Sequence, residues 1–338
     1  MKVKGVILRA FLFLCLSLFP FSAGASQLGI AGDYNEFILG DVGQSGTDVE
    51  GRVAAMGNAT YLDMSIASTI MPDPYPELVV GGNLNWTNGS VGYFTKDNSG
   101  DLNNPLNKKG DILVGGKATI GKDAGGYDTV TYRSLTQGAA LPFNFRTEQS
   151  YLQGMSTFWG QLSSTAIPTY PTDSNGKFLI SLSGTNKDLN VFNLDANLIS
   201  NASKFSIDVP FGSTLLVNIS GPVASLQNFG FFYKGIQGDN NPNFPDQYIL
   251  YNFFEATSLA IAGIEIHGSI LAPWADTLFS NGHIEGNLIA RSLFGTGEGH
   301  NELFEGWLPV KPVPEPATLI LFGSGLMGIV ALRRRMNS

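Results

Sequence analysis

A short glycine-centred pattern constrains this chain more than any other feature. Apolar residues stand two positions either side of a glycine in Val49-Glu50-Gly51-Arg52-Val53-Ala54-Ala55, Val80-Gly81-Gly82-Asn83-Leu84 and Val114-Gly115-Gly116-Lys117-Ala118. The pattern returns in Ile266-His267-Gly268-Ser269-Ile270-Leu271-Ala272 and Ile284-Glu285-Gly286-Asn287-Leu288-Ile289-Ala290. Apolar residues at i and i+4 about a glycine describe a short strand with one buried face and a tight bend or close backbone approach at the glycine. The last two copies lie 18 residues apart, enough for one turn of a small β-solenoid, whose turns bury their inner face only by stacking. The first three copies, 31 and 34 residues apart, carry loop insertions. With 41 glycines and only 14% charged residues, the expected body is all-β and solenoidal. A β-sandwich with glycine-rich hairpins is the alternative.

One segment breaks the pattern. Between Arg146 and Ser164, the residues Tyr151, Leu152, Met155, Phe158, Trp159 and Leu162 follow spacings of three and four. This predicts one long amphipathic α-helix over about residues 145–164, ended by Pro168 and Pro171 and lying along a flank of the solenoid. Strand-like runs follow at Lys177–Leu182, Leu189–Leu194, Lys204–Val209, Ser213–Ile219 and Gln247–Phe254. Phe205, Ile207 and Val209 show the alternation of a half-buried strand.

The two ends read as addresses. Lys2, Lys4 and Arg9, the apolar run Ala10–Phe21 and the small-residue site Ala23-Gly24-Ala25 make residues 1–25 a secretory signal peptide, cut after Ala25. Its Cys15 is the chain's only cysteine, so the exported part has no thiol chemistry. Residues 26–313 hold 14 basic against 27 acidic residues, a net charge of −13. Such a surface excludes nucleic-acid binding and favours cations, neutral glycans or plain solubility. At the C-terminal end, Pro314, Glu315 and Pro316 precede an apolar run, Ala317–Leu332, and the cluster Arg333, Arg334, Arg335. A membrane helix over 317–332 is shorter than the roughly 20 residues of a usual span, and snorkelling arginines extend it. Gly323 to Gly328 spells G-x-G-x-x-G, but inside this apolar run it reads as small residues in a membrane helix.

The order Pro-Glu-Pro, apolar helix, arginine cluster resembles the PEP-CTERM sorting signal of Gram-negative bacteria that secrete exopolysaccharide; an ordinary tail anchor is the alternative. The resemblance implies a membrane-embedded exosortase as partner. It also implies export across the inner membrane, transient anchoring by the helix, and delivery to the outer surface or extracellular matrix. A second resemblance lies in the body. Gly32–Asp41 with Ser45–Ala55, and Gly268–Pro273 with Gly297–His300 and Phe304–Gly306, are similar to the opening and closing segments of the choice-of-anchor A family. That likeness implies a bacterial surface protein whose adhesive domain is an ice-binding-like β-solenoid with an accompanying helix. The expected organisation is a signal peptide (1–25), a solenoid domain (26–308), a linker (309–313) and a sorting signal (314–338).

Chemistry is sparse. The only histidines are His267, His283 and His300. His267 and His283 flank neighbouring repeats, but without a third Cys or His at zinc spacing no metal site is expected, and His300 reads as a turn residue. The acidic loops Asp97–Asn103 and Asp239–Asp246 lack the bidentate glutamate of a calcium loop and read as solvated turns. No G-x-S-x-G elbow and no phosphate loop occur, so no catalytic residue and no cofactor is expected. Asp33, Asp41, Asp48 and Glu50 read as turn caps. Thr119, Thr129 and Thr131 are too scattered for an ice-binding ladder, and the sequons at Asn58, Asn85, Asn88, Asn201 and Asn218 read as accidental. The expectation is a secreted, non-enzymatic surface or exopolysaccharide-matrix protein, adhesive or glycan-binding. The alternative is a polysaccharide-cleaving enzyme on the solenoid, using carboxylate pairs such as Asp41 with Asp48 or Glu285 with Glu298.

Overall fold

The computed structural model describes residues 26–71, 73–93 and 108–311. The expected signal peptide with its Ala23 and Ala25, the Asp97–Asn103 loop, and the tail with the Pro-Glu-Pro motif, the expected membrane segment and the arginine cluster lie outside the described residues. Among the described residues no helix is long and apolar enough to cross a membrane. By internal contacts the body ends at Leu308, and Pro309–Ser338 is a separate unit.

The body is a β-solenoid that begins in its own middle. Glu36–Ile38 pairs in parallel with Val53–Ala55 on one side and with Leu288–Ala290 on the other. From Val53–Ala55 the ladder continues through Leu78–Val80 and Asp111–Val114 to Ser134–Gln137. From Leu288 it continues the other way, through Ile270, Ile249–Asn252 and Thr214–Ser220 to Leu189–Asp195. The chain therefore climbs to one end, crosses over, restarts at the far end and climbs back. Its last strand, Glu298–His300, pairs with the strand of Ile284 and with Val49 and closes the seam. The register Ile264↔Gly282 and Ile270↔Leu288 gives the 18-residue coil that the spacing predicted.

The glycine pattern belongs to two corners, not one. Gly51, Gly268 and Gly286 lead into this first ladder, whereas Gly82 and Gly116 lead out of it. At the exit corner Gly57 N–H donates to the Gly40 carbonyl at 2.8 Å, Gly82 to Gly57 at 2.8 Å and Gly116 to Gly82 at 2.9 Å. A Cβ at Gly82 or Gly116 would meet the preceding glycine's carbonyl. Beside them, Asp41 Oδ1 accepts from Asn58 N–H (2.7 Å), Asn58 Oδ1 from Asn83 N–H (2.9 Å) and Asn83 Oδ1 from Lys117 N–H (2.9 Å). Asp41 caps a turn as expected. Asp48 accepts from Ser68 Oγ, and Glu50 from Asn301 N–H.

A further corner bends the ladder formed by Val42–Val49, Ala59–Ile66 and Leu84–Tyr93. Gly46, Asp63 and Asn88 stand at equivalent positions with φ of 62°, 51° and 61°. Gly263 and Asn281 do the same in the other half, at 58° and 57°. Asp and Asn tolerate this left-handed conformation better than other side-chain-bearing residues, so glycine need not recur there.

Both faces of the first ladder are buried. Ile38, Val53, Ala55, Leu78 and Val80 point into the solenoid, where Tyr61 and Trp86 meet edge-on at 5.2 Å. Phe37, Ala54, Val79, Leu216, Leu250, Leu271 and Ile289 point outward, beneath helix α1, Phe145–Gly160. Asn144 caps α1, its Oδ1 accepting from the amides of Arg146 and Thr147 at 3.0 and 3.2 Å. The helix buries Phe145, Leu152, Met155 and Trp159; full burial of each such side chain is worth about 1.5–3 kcal/mol.

α1 stops at Gly160, four residues short of the predicted end. Gly160 lies against the ring of Phe254, and the carbonyls near the helix end are taken by an asparagine ladder. Asn193, Asn218 and Asn252 are in register on three coils. Their Nδ2 groups donate to the carbonyls of Leu162 (3.0 Å), Trp159 (2.8 Å) and Ser156 (2.9 Å) respectively. Asn252 also donates to Asn218 Oδ1 at 2.9 Å and Asn218 to Asn193 Oδ1 at 3.0 Å. The end of the helix thus gains side-chain donors beside its backbone bonds, such as that of Leu162 N–H to the Trp159 carbonyl at 3.0 Å. Asn218 is buried, which closes its sequon to modification in the folded body.

Candidate functional site

Two surfaces carry chemistry. The first is the outward face of the second ladder, formed by Val42–Ser45, Ala59–Leu62, Leu84–Thr87 and Ala118–Ile120 from the early coils. Leu293–Gly295, Thr277–Phe279, Leu259–Ile261 and Val223–Gln227 continue it from the late coils. Alternation turns Gln44, Tyr61, Trp86 and Phe279 inward. The outward column then runs Ser225, Ala260, Leu278, Phe294, Gly43, Thr60, Asn85, Thr119, and beside it lie Ser45, Leu62 and Thr87. None of these residues is charged. Leu278, Leu62 and Phe294 are 55%, 47% and 46% exposed. Asp276 and Arg291 pair at the rim, where an open cleft is lined by Asp41, Ser292 and Phe294.

The register brings Thr60, Asn85 and Thr119 together, which their sequence spacing hid. Asn85 interrupts them and Gly43, Phe294 and Leu278 extend the column, so no continuous threonine ladder forms. Thr131 pairs with Ser90 on another strand, and Thr129 Oγ1 accepts from the Asn88 amide.

The second surface is a lattice of histidine and glutamate on the last coils. Glu265↔His283↔Glu298 form one column and His267↔Glu285↔His300 the next, on the same face of strands Ser258–His267, Ser269–Glu285 and Glu298–His300. His283 and His300 therefore meet carboxylates both across and along the strands, while His267 meets Glu265 along its strand and Asp246 from outside the lattice. Glu265 Oε1 lies 3.0 Å from His283 Nε2 and 3.4 Å from His267 Nε2. Glu285 Oε1 lies 2.6 Å from His300 Nδ1 and 3.4 Å from His283 Nε2. Glu298 Oε1 is 3.2 Å from His300 Nε2, and Asp246 Oδ1 is 2.7 Å from His267 Nδ1. The rings of His283 and His300 stack at 4.5 Å. His267 is buried against Phe244, and its Nε2 has no hydrogen-bond partner among the described residues.

Its hydrogen bond to the Glu285 carboxylate holds the His300 pKa up at about 9. Burial pushes His283 down, helped by the neighbouring charge of His300. Burial alone would raise Glu285, but the His300 hydrogen bond and the three histidine charges bring it below its ordinary value. Asp246 is raised by burial, against the pull of His267.

His267 and His283, which flank neighbouring repeats, meet on adjacent turns through Glu265. His300 is not the turn residue expected: it ends a strand and bonds carboxylates instead of backbone. Nor is Asp246 a solvated turn residue; it packs on His267. The pair Glu285 and Glu298 does converge, on the two ring nitrogens of His300. Partners 15 and 18 residues apart on stacked coils follow no local motif, so the period of the coil was the only available signal.

The chain belongs to the family described as "pAdhesive_15: Putative Ice-binding-like adhesive domain", whose model matches residues 27–301. A PEP-CTERM protein-sorting motif matches residues 312–335 and marks the chain for export to the cell surface. No curated protein matches. Among solved structures, one similar chain is an ice-binding protein from the Antarctic ascomycete Antarctomyces psychrotrophicus. It is 9% identical, with 80% of this chain and 96% of that one covered and a TM-score of 0.38. Another is an ice-binding protein domain of Shewanella frigidimarina, 10% identical over 84% and 99% of the two chains, with a TM-score of 0.34. A glycosylated ice-binding protein from an Arctic yeast is 9% identical over 85% and 97%, with a TM-score of 0.30.

Proposed function

We propose that this is a non-enzymatic adhesive protein of the cell surface or exopolysaccharide matrix, binding neutral glycan through the uncharged strand face. The observation that carries the reading is that face itself, which runs across both halves of the solenoid without a charge. Exposed Phe294, Leu278 and Leu62 suit the C–H faces of sugar rings, and Thr60, Asn85, Thr87 and Thr119 offer hydroxyl-matching donors and acceptors. The acidic remainder of the surface disfavours polyanions. Delivery rests on the tail: an exosortase recognises Pro314-Glu315-Pro316 while the apolar run 317–332 and Arg333, Arg334 and Arg335 hold the precursor in the membrane.

The test is retention of the full chain, solubilised in mild detergent, on the producer's own exopolysaccharide, with reducing-end release measured in the same tube. Retention without release, lost in Phe294→Arg/Leu278→Arg, supports the reading. Release of reducing ends would make the protein an enzyme, and retention unchanged in the double variant would move the binding surface elsewhere. Alanine at Pro314, Glu315 and Pro316 should trap unprocessed protein in the inner membrane; normal release of that variant removes the exosortase from the account.

A further inference from the structure

The His–Glu lattice does more than an ordinary surface ion-pair network needs to do. His283, Glu285 and His300 each offer one donor atom, all within 4.8 Å of one another, on two adjacent coils. We propose that they form a binding site for one divalent transition ion of the zinc class, clipping the closing strand Glu298–His300 to the coil beneath it.

The donor set selects the ion. Two imidazole nitrogens and a carboxylate, without a thiolate, suit Zn²⁺ and its neighbours Co²⁺, Ni²⁺ and Cu²⁺, whereas Ca²⁺ and Mg²⁺ take oxygen ligands. Donors sharing one ion at about 2.0–2.2 Å stand no more than roughly 4.2 Å apart. Closing the site from 4.8 Å therefore takes a small side-chain movement. The 2.6 Å contact between Glu285 and His300 opens as the ion takes the place of the proton between them.

Glu265, 3.0 Å from His283 Nε2, stands ready as a fourth ligand or as the group that orients the ring. Behind it, the buried His267 points a nitrogen without a hydrogen-bond partner at the same carboxylate, from 3.4 Å. Buried imidazole nitrogens are ordinarily hydrogen-bonded, and an ion that drew Glu265 toward it would reorganise this contact. The side chains of His283 and His300 are 29% and 26% exposed, so an ion enters from solvent. The location gives the clip a purpose. Glu298–His300 is three residues long and is the strand that joins the late coils to Val49 of the first.

The experiment is calorimetric titration of the chelator-treated full chain in detergent with zinc sulfate, with calcium chloride as the comparison. The expected result is one Zn²⁺ per chain, no response to Ca²⁺, and binding about 100-fold weaker or more in His283→Gln/His300→Gln. No Zn²⁺ binding, an equal response to Ca²⁺, or full Zn²⁺ affinity in the double variant would overturn the proposal. Because the double variant could misfold, Co²⁺ is added in parallel to the unmodified chain. A visible d–d spectrum that zinc displaces at one equivalent supports the nitrogen-containing site, and its absence sinks it.

Discussion

Two side-chain ladders in this molecule are built by the same device and end in opposite conditions. The asparagine ladder, Asn193, Asn218 and Asn252, is neutral, lies beneath α1, and spends its amide hydrogens on helix carbonyls and on one another. The lattice of Glu265, His283, Glu285, Glu298 and His300 is charged, open to solvent at its edge, and leaves the nitrogen of His267 behind it without a hydrogen bond. Stacked coils place residue over residue in both. A ladder buried at Asn218 and Asn252 whose amides are spent on neighbouring acceptors serves the fold, whereas one with spare donors and acceptors at the surface is available to a ligand.

The sharpest way to break the comparison is Asn218→Leu. It removes the bonds from Asn218 Nδ2 to the Trp159 carbonyl and Asn193 Oδ1 and the bond that Asn252 gives to Asn218 Oδ1, all at one buried position, and the expected loss is about 3 kcal/mol, read from chemical denaturation midpoints. A loss below 1 kcal/mol would mean that the ladder does not hold α1 down.

Glu36 sharpens the comparison next, because it is buried like the asparagines and titratable like the lattice. Gln44 Nε2 donates to it at 2.8 Å, and burial raises its pKa to about 8. Between about pH 4.5 and 8 the folded chain keeps a proton that the unfolded chain has released, so this group lowers stability as pH rises through that window. Below it both states are protonated and the penalty vanishes. Glu36→Gln should flatten this part of the pH profile and raise stability at pH 8 by an amount on the order of a few kcal/mol. Parallel profiles for the two proteins would show that Glu36 is ionised in the fold.

His300→Gln, measured with chelator present, should cost only about 1 kcal/mol, as expected of a partly exposed ion pair. A cost equal to that of Asn218→Leu would make the lattice structural as well. Smallest in stability is Leu278→Arg, within about 0.5 kcal/mol at an exposed strand position. Its expected effect is on glycan retention instead, and unchanged retention by this variant and by Phe294→Arg would detach the strand face from binding.

Much of the architecture was legible. The 18-residue interval between Gly268 and Gly286 is the coil, and the stripe from Tyr151 to Leu162 is the lateral helix, overextended because propensity could not foresee Phe254 and the asparagines at its end. That the five glycine motifs serve two corners was not legible, since either corner needs the same apolar-glycine-apolar string. The start in mid-stack was hidden too: pairing Glu36 with both Val53 and Leu288 is a choice between distant segments that no local pattern encodes.

The sites divide along the same line. The sequence by itself determined what is local or periodic: an acidic exported body of stacked strands, one amphipathic helix, turn-capping Asp41, and the ordered address of Pro314-Glu315-Pro316, apolar run and arginines. Only the tertiary structure decided which residues share a column. Thr60 joins Asn85 and Thr119, and Glu265 joins His283 and Glu298, because parallel register compares residues one coil apart and coil length changes with every insertion. Local composition specifies each coil, but packing one coil on another sets the register, and the chemistry lies in the register.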